Sequence, residues 1–132
     1  MSKIWRYSMF IKDLAKCLYF TAMDNTHLCE LMRPSSDELK IPYSIAHAEV
    51  KPGASSLSHR LKTSSEVYII LEGEGEMHIN EEQSPVFPGQ AIFIAPGSWQ
   101  SIRNTGSNDL KFLCIVHPEW QAEDEELRKA GL

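Results

Sequence analysis

The chain reads as an all-β protein, an antiparallel sandwich or small barrel. Short β-rich runs follow one another from residue 43 onward, Gly/Pro turns separate them, and no helical period intervenes. YSIAHAEV alternates and stops at Pro52-Gly53, and EVYIILEG is β-branched and aromatic and stops at Gly73. GEMHIN alternates and ends at Asn80, SPVF leads to Pro88-Gly89, and AIFIA leads to Pro96-Gly97. QSIRN ends at Asn104-Thr105-Gly106, and LKFLCIV is the last run, closed by Pro118.

The ends are less regular. IKDLAKCLYF has helical as well as strand character, THLCELM places His27, Cys29 and Leu31 on one face of a strand, and RPSSDELKIP is a polar loop. The tail EWQAEDEELRKAGL reads as a short helix or a frayed end, its acidic cluster as a solvated face.

Composition narrows the function. The 132 residues are one domain's worth, 42% hydrophobic and 23% charged, as in an ordinary soluble globular protein. A formal charge of −5 argues against nucleic acid as partner, because neutralising phosphates needs a basic surface. No apolar run approaches a membrane span, and Asp13 and Lys16 interrupt the early apolar stretch where a signal sequence would need continuity. Cys17, Cys29 and Cys114 have no CxxC spacing and fit free thiols in a reducing compartment, so a cytoplasmic location is expected.

One constellation carries chemistry. From Gly53, five residues lead to His59, then Leu61 two places on, Glu66 after four more, and Gly73 after a further six. Later come Gly89, AIFIA, Pro96-Gly97, Gln100 and Asn104. The first stretch resembles the first motif of the cupin superfamily, G-x5-H-x-H-x(3–4)-E-x6-G, with Leu61 in place of the second histidine. The second is similar to G-x5-P-x-G-x2-H-x3-N, with Gln100 in place of the histidine and the proline displaced by one position. The resemblance spans roughly residues 43 to 117 and implies a double-stranded β-helix (jelly-roll) cupin barrel, with room for short helical segments at either end. It makes 1–132 a single cupin domain, with 1–42 an N-terminal extension and 118–132 an acidic tail.

What the resemblance implies about the site follows residue by residue. His59 and Glu66 stand at metal-ligand positions, and Gln100 offers a neutral amide oxygen, a weaker donor than imidazole. Asn104 shares a face with Gln100 and can hold a ligating group in position. His47, on the preceding run, can join the set if it faces inward; alternation leaves this open, since Ser44, Ala46, Ala48 and Val50 suit the interior equally. Tyr68 lies two residues beyond Glu66 and so shares its face, which makes Tyr68 and Glu66 the candidate acid/base pair. The expected cofactor is a divalent metal (Mn, Fe, Ni or Zn) held by His59, Glu66, Gln100 and His47. The expected partner is a small polar or sugar-like molecule.

Two functions compete: a metal-dependent, non-redox isomerase or lyase, and a non-catalytic barrel that binds or senses a small molecule. Leu61 favours the second; the retained Glu66 favours the first. A homodimer is expected from the family, with Trp5, Tyr7, Phe10, Tyr19 and Phe20 as candidates for its face.

Overall fold

The computed structural model describes residues 6–129, so Trp5 lies outside the described residues. Eleven strands are present among them, in chain order β1 (Phe20–Thr21), β2 (His27–Met32), β3 (Ser44–Val50), β4 (His59–Leu61), β5 (Ser65–Glu72) and β6 (Gly75–Ile79), followed by β7 (Glu82–Val86), β8 (Ala91–Ile94), β9 (Gln100–Asn104), β10 (Leu110–His117) and β11 (Glu125–Leu127). They form two antiparallel sheets, a six-stranded one ordered β1-β2-β3-β10-β5-β8 and a five-stranded one ordered β11-β4-β9-β6-β7. The two sheets face each other across the interior, the jelly-roll arrangement expected from the strand spacing. A four-residue helix, Pro34–Asp37, and two 3-10 turns, Leu14–Lys16 and Ala122–Asp124, are the helical pieces. None of the described helices is long and apolar enough to cross a membrane.

Alternation decides which side chains meet inside. On β5, Glu66, Tyr68 and Ile70 are buried, and on β10 Leu110, Phe112, Cys114 and Val116 are. The two strands pair with Cys114 opposite Tyr68 and Val116 opposite Glu66. On the other sheet, Gln100, Ile102 and Asn104 of β9 point inward, with Gln100 opposite His59 of β4. Tyr68, Ile70, Ile102, Leu110 and Phe112 anchor the core, and burying a side chain of that size contributes about 1.5–3 kcal/mol.

Alternation left the direction of β3 open, and packing resolves it. Ala48 and Val50 join the core and Ala46 packs against it. His47 is therefore on the opposite face, where Cys29 of β2 and Leu113 of β10 flank it. It is only 3% exposed because the N-terminal segment covers that face. Tyr19 stacks on His27 at 4.8 Å between ring centres, and its hydroxyl lies 2.8 Å from His47 Nδ1.

The tail departs from the reading as a helix or frayed end. After the Ala122–Asp124 turn the chain forms β11 and pairs with β4, with Glu125 opposite Leu61. The Asp124 carboxylate fastens this return by accepting hydrogen bonds from Thr63 N (2.9 Å), Thr63 Oγ1 (2.7 Å) and Ser64 N (3.1 Å). A local reading misses this because Asp124 and Thr63 are 61 residues apart.

Candidate functional site

The barrel holds a cavity of about 100 Å³, lined from both sheets, from the turn before β2 and from the tail. His59, Glu66 and Tyr68 line it, as the sequence implies. Leu61 lines it too, buried where a second imidazole would stand.

His59 opens β4 and is held at both ring nitrogens. Nδ1–H donates to the Leu57 carbonyl at 2.7 Å, which leaves Nε2 facing the Asp24 carboxylate at 3.4 Å. Asp24 is the residue sequence reasoning missed. It sits in the tight turn joining β1 to β2, where Asn25 takes a left-handed φ of 74° and donates its N–H to the Ala22 carbonyl. Its Oδ1 accepts from Thr26 N at 3.1 Å and Thr26 Oγ1 at 2.7 Å, so the free side of the carboxylate is aimed at His59. The Asp-Asn pair between two apolar runs is a turn signal; its arrival over the barrel mouth is a tertiary fact.

Glu66, 7% exposed, accepts a 3.1 Å hydrogen bond from Gln100 Nε2 across the gap between the sheets. Burial pushes its carboxyl up to about 8, the Gln100 bond works against this, and Asp24 and Glu125 push it further up. Near neutrality Glu66 is thus largely a neutral acid with a proton to give. Tyr68 is 2% exposed and tilted against Phe112 at 4.5 Å between ring centres. Burial and then Glu66 hold that phenol well above its ordinary range, so it stays protonated. Cys114 also lines the cavity with its thiol pushed up by burial, an inert wall rather than a nucleophile.

Glu125 enters from the tail, a second residue that the sequence reading placed in solvent. Trp120 Nε1–H donates to its Oε1 at 2.8 Å, while Oε2 is buried without a partner. Burial raises this carboxyl as well, with Trp120 and His59 opposing and Asp24 adding to the rise.

Two sequence expectations need correction. His47 is bonded to Tyr19 on the outer face of the six-stranded sheet and does not line the cavity. Asn104 points inward but steadies backbone: its Nδ2 donates to Val50 O and Asn108 O, each at 2.8 Å, and its Oδ1 accepts from Gly106 N. Of the four expected metal ligands, His59, Glu66 and Gln100 come together and His47 does not.

A model of the cupin domain matches residues 46–116, more than half of the chain. The chain is a cupin. An uncharacterised protein of Methanocaldococcus jannaschii is 35% identical to this cupin over 108 residues, which cover 82% of this chain and 86% of that one. An oxalate-binding protein of Thermotoga maritima is 38% identical over 71 residues, 54% of this chain and 59% of that one. Among solved structures, a predicted oxalate decarboxylase of the same organism superposes with a TM-score of 0.72 at 26% identity, covering 83% of this cupin and 99% of that chain.

The metal that cupins often bind finds a poor donor set here. Leu61 supplies no lone pair, Gln100 turns an N–H toward Glu66, and His59 Nε2 is faced by Asp24. Among the described residues no three His, Cys, Asp or Glu side chains are grouped so as to hold a metal ion.

Proposed function

We propose that this cupin binds a small polar molecule inside the barrel without a cupin-type metal centre, with Glu66 as the proton-bearing group of the site. The observation that carries the reading is the pairing of Glu66 with Tyr68. Both are more than nine-tenths buried and both line the cavity, and beside them Gln100 Oε1 and Glu125 Oε2 are buried without a hydrogen-bond partner among the described residues. Buried polar atoms are rarely left so, and a ligand would complete their hydrogen bonds. The oxalate-binding relative supports a small-molecule role in the same barrel.

The metal-dependent isomerase or lyase reading has the meeting of His59, Glu66 and Gln100 in its favour. Against it, Gln100 turns its N–H toward Glu66, and neither Leu61 nor the outward His47 supplies an imidazole in its place. Non-redox proton transfer through Glu66 and Tyr68 is chemically open in either case. The homodimer and the cytoplasmic location expected from the sequence are part of this proposal, and three free cysteines support the location.

The test is to release and identify small molecules from the purified protein by mass spectrometry, beside elemental metal analysis. The comparison is an Ala46→Trp variant, whose indole would fill the cavity that Ala46 lines. A small molecule released from the unaltered protein and absent from Ala46→Trp is expected, with metal far below one per chain. One metal per chain that disappears in His59→Ala and Glu66→Gln would overturn the metal-free site.

A further inference from the structure

The walls of the cavity carry an unusual balance of charge. Asp24, Glu30, Glu66 and Glu125 line it, and no lysine or arginine does. Its one basic side chain, His59, is already faced by Asp24. Of the four acids, Glu30 is drawn to Arg33 at 3.4 Å, which leaves three carboxyl groups turned on one enclosed space. Phe20, Tyr68, Phe112 and Trp120 supply aromatic surface to the same cavity. Carboxylates set among aromatic rings are the combination that recognises ammonium groups, through charge and through the negative faces of the rings.

Two acceptor atoms at this site are buried without a hydrogen-bond partner among the described residues: Glu125 Oε2, and Oε1 of Gln100, whose other amide atom bonds Glu66. Both are acceptors suited to an N–H donor. An anion would meet three carboxyl groups and no fixed positive charge.

We infer that the ligand of this cavity is a small organic cation, a protonated or methylated amine with an apolar body, and that dicarboxylates such as oxalate are excluded. This rests on the cavity-binding reading above and adds the charge of the ligand to it. The groups that face Glu66 are Asp24 from the turn before β2, His59 of β4, Tyr68 of β5, Gln100 of β9, Cys114 of β10 and Glu125 of β11.

The experiment is an NMR titration of the full chain with butylamine, with 1-butanol as its uncharged counterpart, and with oxalate. It is read at the Trp120 indole N–H and the Gln100 side-chain amide. Butylamine is expected to shift both signals, with 1-butanol and oxalate at least tenfold weaker. Glu66→Gln, whose folding its melting curve checks, should bind butylamine at least tenfold more weakly. Asp24→Asn gives a second, independent loss of charge and should weaken the amine in the same direction. Oxalate or 1-butanol binding at these signals as tightly as butylamine would overturn the inference while leaving a ligand-binding cavity in place. Silence from all three probes would overturn it too, and the released-molecule measurement would still judge the cavity on its own. Butylamine affinity unchanged in Glu66→Gln would likewise refute it.

Discussion

Gln100 and Glu66, 34 residues apart, join the two sheets by a 3.1 Å hydrogen bond inside the barrel. Gln100 stands where a cupin histidine would, so the position has exchanged a metal donor for a partner to the glutamate. Gln100→Leu should cost about 1–2 kcal/mol in chemical denaturation, the net worth of a bond to an ionisable group. It should also raise the Glu66 titration above about 8, since this bond opposes the effect of burial. Carbon NMR of the carboxyl checks the shift. The converse experiment installs imidazoles: Leu61→His with Gln100→His places two beside His59 and Glu66. Elemental analysis should then find a bound divalent metal where the unaltered protein has little, and a variant that stays metal-free while folded would show that more than ligand identity has changed.

Stability should depend on pH through Glu66. Its carboxyl is raised from 4.5 to about 8 in the folded chain, so between these values the folded state holds a proton that the unfolded state has released. Stability is therefore fully present below about 4.5, falls as pH rises, and is lost by a few kcal/mol, in order of magnitude, above about 8. Melting temperatures measured from pH 5 to 9 should decline through this window and flatten in Glu66→Gln. An unaltered decline in the variant would assign the effect to another group.

Gly73 and Gly53 both have left-handed φ values, +82° and +78°, yet they should respond differently to alanine. A Cβ at Gly73 would meet the Asp109 carbonyl oxygen at 2.6 Å, whereas at Gly53 nothing lies within 4 Å. Gly53→Ala should cost about 1 kcal/mol of backbone strain alone. Gly73→Ala should cost at least about 2–3 kcal/mol, because backbone must also move. Paired urea denaturation curves separate the two.

The outer-face packing can be tested without touching the cavity. Tyr19→Phe removes the hydroxyl that bonds His47 Nδ1 and leaves a buried ring nitrogen unpaired. A loss of about 1–3 kcal/mol is expected, with ligand binding in the cavity unchanged. Altered binding would place His47 in functional contact with the barrel interior.

Much of the fold was legible because a strand's side chains alternate. SEVYIILE became β5 with Glu66 and Tyr68 on one face, as period two requires, and LKFLCIVH became β10 in the same way. Gly73 and Gly53 marked turns where the backbone does adopt left-handed values. Periodicity was silent where two faces were equally plausible: β3 reads the same whether His47 or Ala46 is inside. The close packing of Ala48 and Val50 against the core decided it.

The site divides along the same line. The sequence by itself determined His59, Leu61, Glu66 and Gln100 as one constellation, because local strand geometry and turn glycines bind them to a register. Only the tertiary structure brought Asp24 and Glu125 to them, from a turn in the first 30 residues and from a tail strand that pairs with β4. Nothing in a local pattern encodes such an approach. It arises when hydrogen bonds such as those of Asp124 with Thr63 and Ser64 close chain segments some 60 residues apart, and the charge of the cavity is set there.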